Sequence, residues 1–290
     1  KLVRVRQWIK NFAIFAAITF SGELFTLTIF QKVLFAFIVF CMLSSATYII
    51  NDAFDIKKDR LHPFKRFRPL ANRDIPIFLA FIIALVLIVV SLFLGLFVNL
   101  GFFILAIVYL LVQLLYSIFL KSIAIVDILA IASGYILRVY AGEAASGFHI
   151  SVWLLLTVIS VSLFLAIGKR RSELTLLSTN KDVNIGAVRK SLSHYSESLL
   201  DVYASIFATS TFISYSLFTF LENPKGFKLG ISILFPDFLP EFFQRKWLMI
   251  TIGPVVYGLM RYLQDIYEKR EGESPERVLL SDKPLLATVL

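Results

Sequence analysis

Val33-Leu34-Phe35-Ala36-Phe37-Ile38-Val39-Phe40-Cys41-Met42-Leu43-Ser44-Ser45-Ala46-Thr47-Tyr48-Ile49-Ile50 runs without a break into Asn51-Asp52-Ala53-Phe54-Asp55-Ile56-Lys57-Lys58-Asp59-Arg60. The first part approaches the ~20 apolar residues that carry a helix across a bilayer. The second part sets three carboxylates against its end. An acid inside a membrane helix costs about 2.5–3.5 kcal/mol even on the lenient insertion scale, so such a cluster calls for a purpose. Cations follow in His62-Pro63-Phe64-Lys65-Arg66-Phe67-Arg68-Pro69. Acids and then cations at one membrane face suit a phosphate-rich substrate that arrives with a metal ion.

The rest of the chain fits a membrane solvent. Of its 290 residues 58% are apolar, against about 45–50% in soluble domains, and the mean hydropathy is +0.80. Apolar runs predict spans near 12–30, 33–51, 76–98, 101–120, 124–142, 150–168, 199–221 and 247–264. A ninth begins near Leu285 and is cut short by the chain end. The expectation is an all-α polytopic membrane protein, one integral domain over 1–290, with about nine transmembrane helices. No cleavable leader precedes the first run, and the missing Met at position 1 reads as a trimmed N-terminus. Cys41 is the single cysteine, so no internal disulfide forms. No linker divides the chain, and Pro224, Pro236 and Pro240 keep 222–246 from forming a span. The inside loops expected at 52–75 and 169–198 follow spans two and six, which hints at a duplicated four-helix unit.

The net charge is +9. With the N-terminus inside, the 29 Lys and Arg fall almost wholly on the inner side. The exceptions are Lys32, Lys225, Lys228, Arg245 and Lys246 outside and Arg138 within a span. This asymmetry is the positive-inside pattern. It puts the acidic cluster at the cytoplasmic face of the plasma (inner) membrane and accounts for the basic excess without nucleic acid.

On a helix Asp52, Asp55 and Asp59 fall within a roughly 60° sector, with Asn51 at its edge. Two carboxylates ~6 Å apart repel by about 3 kcal/mol at an effective dielectric near 20, a repulsion that a hard divalent cation removes. Mg²⁺ favours one or two carboxylates together with substrate phosphates. The plainer alternative pairs these acids with Lys57, Lys58 and Arg60 at a solvated helix end. Lys65, Arg66 and Arg68 suit phosphate, or else anchor in lipid headgroups. His62 reads as a ligand or a cap.

A second cluster, Gly168-Lys169-Arg170-Arg171-Ser172-Glu173-Leu174, follows span six. It reads either as a cradle for a phosphate monoester or as a positive-inside stop. Trp8, in Arg4-Val5-Arg6-Gln7-Trp8-Ile9-Lys10-Asn11, suits the membrane interface. Tyr116 and Lys121 flank the loop before span five, and Lys121 is able to snorkel. Asp127 enters span five and needs a polar cavity or a partner. Arg138 lies three turns on near the same face, and a rise of roughly 16 Å weakens direct pairing. No glycine-rich phosphate loop, zinc-type histidine spacing or Ser-His-Asp set is present.

Asn51-Asp52-x-x-Asp55-x-x-x-Asp59 after the second span resembles the first acidic motif of the UbiA-type intramembrane prenyltransferase superfamily. The continuation Asp59-Arg60-x-His62-Pro63-x-Lys65-Arg66-x-Arg68-Pro69 is similar to its decaprenyl-phosphate phosphoribosyltransferase branch. So are Gln7-Trp8-x-Lys10-Asn11, the Asp127 to Arg138 pattern and Gly168-Lys169-Arg170-x-x-Glu173-Leu174. At that last position members using prenyl diphosphates usually carry a second acidic motif, which cations replace here. Arg261-Tyr262, Glu273-Ser274-Pro275-Glu276 and Asp282-Lys283-Pro284-Leu285 also resemble the branch, without assigned chemistry.

The resemblance implies helices around a central cavity open to the cytoplasm. It also implies transfer of phosphoribose from 5-phosphoribosyl 1-diphosphate to a polyprenyl phosphate, for cell-envelope precursors. The metal, Mg²⁺ with Mn²⁺ as alternative, falls on Asn51, Asp55 and Asp59, with Asp52 as a further ligand. Substrate phosphates fall to Lys10, Asn11, Lys65, Arg66, Arg68, Lys121, Asp127, Arg138, Lys169, Arg170 and Glu173. One rival is isoprenoid transfer to an aromatic acceptor, which expects the missing second acidic motif. Another is a transporter, which expects acids spread through the spans rather than gathered at one face.

Overall fold

Thirty-five residues, Leu27–Leu61, form one helix, α2. At 1.5 Å per residue it is about 52 Å long, well beyond the ~30 Å of a bilayer's hydrocarbon. The apolar run is long enough to cross a membrane, and Asn51, Asp55 and Asp59 lie on the turns that follow it. The computed structural model describes residues 2–62, 64–179, 189–222, 247–269, 278 and 281–289.

Among these residues helices are the only regular secondary structure, with no strand. A 3-10 segment Val5–Phe15 leads into α1, Ala16–Ser21. After α2 come α3 (Ile77–Val98), α4 (Leu100–Ile118), α5 (Val126–Ser146), α6 (Val152–Thr179), α7 (Glu197–Leu221), α8 (Ile252–Gln264) and α9 (Lys283–Val289). Six of them, α2 to α7, are long and apolar enough to cross a membrane.

Two expected spans take another form. Residues 12–30 are not one helix: α1 stops at Gly22, whose φ of 79° lets its N–H close the last turn, and α2 starts five residues later. The eighth run, 247–264, is a 3-10 turn Trp247–Thr251 followed by the 13-residue α8. α2 and α6 in turn overrun their predicted ends at 51 and 168, because their charged last turns find partners inside the protein. The expected loop residues Asp52 to Asp59 and Lys169 to Glu173 are therefore helical. Most of the expected outside loop (223–246) and Glu273 to Glu276 lie outside the described residues.

Sequence neighbours pack as neighbours. α2 packs on α3, α4, α5 and the N-terminal segment, and α6 packs on α5 and α7. A single residue joins α3 to α4: Asn99 accepts from Phe102 N at 2.7 Å and donates to Ala144 O at 2.5 Å, capping α4 and tying the turn to α5. α5 is the seam. Ile128 and Ala132 belong to the apolar core around α6, while Ala141 and Ala145 belong to the core around α2. Its small residues permit close approach. A Cβ on Gly142 would stand 1.9 Å from the Ile14 carbonyl oxygen, so the N-terminal segment lies directly on the α5 backbone.

Candidate active site

The overhanging end of α2 forms one wall of a cavity of about 660 Å³. On a helix i, i+4 and i+8 share a face, and Asn51, Asp55 and Asp59 all line this space. Facing them are Lys10, Lys65, Arg68, Lys169 and Arg189. A narrow extension brings in Lys121 and Glu173. Acids and cations thus share one chamber.

Each acid is held by a cation from another element. Lys121 Nζ donates to Asp55 Oδ1 at 2.7 Å and reaches Asn51 Oδ1 at 3.4 Å. Arg68 Nη1 donates to Asp59 Oδ2 at 2.7 Å and to Asp52 Oδ1 at 3.1 Å. Arg4 Nε donates to Asp52 Oδ2 at 3.0 Å, and its Nη2 pairs with Oδ1. Lys121 is buried rather than snorkelling. Burial lowers its pKa, and the Asp55 carboxylate opposes that shift.

Behind this wall lies a second layer. Arg170 is fully buried; its Nε donates to Asp127 Oδ2 at 2.6 Å, its Nη1 to Glu173 Oε2 at 2.7 Å and its Nη2 to the Tyr116 hydroxyl at 3.0 Å. Ser191 Oγ (2.9 Å) and the Tyr195 hydroxyl (2.8 Å) also donate to Asp127. Burial pushes the Tyr195 phenol well above its ordinary range, which keeps it a donor. Glu173 further accepts from Lys65 Nζ at 2.7 Å and faces Arg189 Nε at 3.7 Å. Burial works against the charge on Arg189, and Glu173 with Tyr116 more than offsets it, raising its pKa. The network docks 189–195 onto α4 and α5.

Several expected site residues therefore stand elsewhere. Asp52 is turned to Arg4 and Arg68, with both oxygens engaged, rather than into the chamber with Asn51. Asp127 and Arg170 are buried in the second layer, because a buried charge must be paired. Arg138 pairs with neither substrate space nor Asp127: its Nε donates to Asn11 Oδ1 at 2.7 Å, its Nη2 to the Tyr109 hydroxyl at 2.9 Å and its Nη1 to Gly134 O. Asn11 is likewise buried, donating to Ser44 Oγ at 3.0 Å. Arg66 is exposed, stacked 4.8 Å from the Phe67 ring centroid. His62 acts as a turn cap, its Nδ1 accepting from Phe64 N and Lys65 N at 3.3 and 3.4 Å. Trp8 donates to Ser45 Oγ at 2.9 Å instead of reaching the interface. Arg261 joins Asp282 at 2.8 Å. Arg189 is a site residue that sequence does not reveal, since one arginine in a polar connection carries no local signal.

The donor set fits a divalent ion. Asn51, Asp55 and Asp59 offer one amide and two carboxylate oxygens to the same space, the hard donors that Mg²⁺ shares with phosphates and water. Among the described residues no group of three or more acids, histidines or cysteines could hold an ion by itself, so a ligand's own oxygens would have to complete the coordination.

Residues 12–175 match the UbiA prenyltransferase family. The chain is 36% identical to the decaprenyl-phosphate phosphoribosyltransferase of Mycolicibacterium smegmatis, covering 98% of this chain and 86% of that one. It is 34% identical to the protein of the same name from Corynebacterium glutamicum, covering 100% and 82%. A UbiA homologue from Archaeoglobus fulgidus, solved with GPP and Mg²⁺, superposes with a TM-score of 0.72 at 16% identity over 99% of this chain and 94% of that one. Long polar-tipped helices around an acid-and-cation chamber, and a family match over more than half of the sequence, lead to one conclusion: the chain belongs to the UbiA prenyltransferase family.

Proposed function

We propose that this protein transfers the 5-phosphoribosyl group from 5-phosphoribosyl 1-diphosphate to a polyprenyl phosphate, releasing diphosphate. The observation that carries the reading is the shared chamber: Asn51, Asp55 and Asp59 on one wall, Lys65, Arg68, Lys169 and Arg189 on the others. Both partners of the reaction are phosphorylated, and the seven Lys and Arg that line this cavity suit two phosphorylated ligands better than one prenyl diphosphate. The two relatives above, aligned over nearly the whole chain, bear the name of this activity.

Asn51, Asp55 and Asp59 would hold Mg²⁺, with Mn²⁺ as alternative. When bound, the ion supplies Lewis-acid neutralisation of the leaving diphosphate. The chain's own residues do the rest. Lys121 and Arg68, now on Asp55 and Asp59, stand where they can turn to the diphosphate oxygens. An oxygen of the acceptor phosphate attacks the ribose C1, and the bond from C1 to the diphosphate oxygen breaks with its electron pair leaving on diphosphate. The second pKa of a phosphate monoester is about 6, so the acceptor is already a strong anion at neutral pH and no general base is required. Holding two anions in reach of each other is catalysis by positioning, and it falls to Lys10, Lys65, Lys169 and Arg189. The second layer of Asp127, Arg170 and Glu173 keeps that wall in place.

The chain works as a single membrane domain, 1–290. The N-terminal segment with α1 and the stretch with α8 would add to the six long helices, and α9 would begin the last of about nine passes. The chamber faces the cytoplasm of the plasma (inner) membrane, as the Lys and Arg distribution favours, where the soluble donor and envelope precursor synthesis meet.

Purified protein given labelled 5-phosphoribosyl diphosphate, a polyprenyl phosphate and Mg²⁺ is expected to form a labelled lipid, and none in EDTA. Failure to label the lipid, with isoprenoid transfer from a prenyl diphosphate to an aromatic acid instead, would overturn the reading in favour of prenyl transfer.

A further inference from the structure

The N-terminal segment Val5–Phe15 is a 3-10 helix. With three residues per turn, i and i+3 stand above one another. Trp8, Asn11 and Ile14 make the edge turned into the protein: Trp8 donates to Ser45, Asn11 to Ser44, and Ile14 is fully buried. The adjacent edge continues from Arg4 through Gln7 and Lys10 to Ala13. Arg4, Gln7 and Lys10 line the polar chamber. Lys10 and Ala13 line a second cavity of about 430 Å³, walled by apolar side chains such as Val161, Phe164 and Leu165 of α6 and Leu259 of α8. Lys10 borders both. Its ammonium lies 5.9 Å from the Tyr48 ring centroid, and Tyr48 lines the polar chamber. The direct seating of Ile14 on Gly142 fixes how far the segment stands from α5.

Resting on the transferase reading, we infer that Lys10 grips the phosphate of the acceptor and sends its hydrocarbon chain into the apolar cavity. The acids of α2, with Arg68 and Lys121, are left to the diphosphate of the donor. A lipid monophosphate has one charged end and one apolar end. It is held best where a cation stands at the boundary between a wet space and a dry one. A soluble sugar diphosphate gains nothing from the dry side. Lysine suits the boundary: its methylene stem lies along apolar surface while its point charge stays in the polar space. The acceptor oxygen and the leaving diphosphate would then stand on opposite sides of the ribose C1, which an in-line displacement requires.

The test separates this assignment from the transferase reading. Wild-type protein, Lys10→Met, Lys10→Arg and Val161→Trp are titrated calorimetrically in detergent. The ligands are farnesyl phosphate, dimethylallyl phosphate and 5-phosphoribosyl diphosphate with Mg²⁺. Lys10→Met is expected to weaken farnesyl phosphate by about tenfold or more, the size of one lost charge-assisted contact, with donor affinity within about twofold. Lys10→Arg restores most of the loss. Val161→Trp fills the apolar cavity and weakens farnesyl phosphate while sparing dimethylallyl phosphate. Lys10→Met weakening the donor as much as the acceptor, or neither, overturns the assignment, as does Val161→Trp affecting both lipid phosphates equally. Wild-type protein that binds neither donor nor farnesyl phosphate overturns the transferase reading itself, and this inference falls with it.

Discussion

Asp55→Asn is expected to lower kcat by roughly 10³-fold, about 4 kcal/mol of transition-state stabilisation, in a protein that folds normally. The substitution keeps the shape of the side chain and an oxygen for the Lys121 ammonium, which lies 2.7 Å from Asp55 Oδ1. It removes the charge that would draw a divalent ion to the chamber. Asp55 is also the middle member of the Asn51, Asp55, Asp59 stripe, so neither neighbour can replace it without a change in the helix. Thermal unfolding and phosphoribosyl transfer, measured on the same preparation, separate the two effects. Full activity in Asp55→Asn would remove this residue from the metal assignment. Unfolding without a change in specific activity would make it structural only.

The second large effect concerns stability. Arg170 joins Asp127 to Glu173 in a site that water does not reach. Breaking a buried ion pair by removing one partner costs about 3–5 kcal/mol, because the other charge stays behind in low dielectric. At about 2–4 °C per kcal/mol for a domain of this size, Arg170→Met is expected to lower Tm by roughly 10 °C. Arg170→Lys keeps the charge and loses the planar fork that reaches Asp127, Glu173 and Tyr116 together, so an intermediate value is expected. Differential scanning of the detergent-solubilised protein reads both. A Tm for Arg170→Met equal to that of the wild type would contradict the bridging role.

These residues also mark what can be read from sequence and what cannot. The stripe from Asn51 to Asp59 was legible because helical spacing alone gathers its members, and the apolar run before it located it at a membrane face. The six long helices were legible for the same reason, as each is a continuous apolar run. Partners in the second layer were not. Asp127 meets Arg170, Ser191 and Tyr195, and Arg138 meets Asn11. Such pairings depend on which helix faces which, a tertiary fact with no local trace. The shared-face argument linked Asp127 to Arg138, and packing sent them to different layers. It likewise grouped Asp52 with Asp55 and Asp59, while Arg4 and Arg68 claim Asp52 on the adjoining side.

The helix ends were misread through charge. A run such as Lys169-Arg170-Arg171 looks like the exit of a span, yet α6 continues to Thr179. Arg170 is neutralised inside by Asp127 and Glu173, and Arg171 by Asp201 at 2.7 Å. The first apolar run was misread through length. Residues 12–30 are long and apolar enough for one span, yet Gly22 closes α1 and a new helix starts at Leu27.

The measurement closest to the central claim is the affinity of the wild-type protein for 5-phosphoribosyl diphosphate with Mg²⁺ and with EDTA. If Asn51, Asp55 and Asp59 hold an ion that the diphosphate shares, binding is expected to weaken by about 30-fold or more on chelation, roughly 2 kcal/mol. Mg²⁺ should restore it. Equal affinity in EDTA would contradict the account.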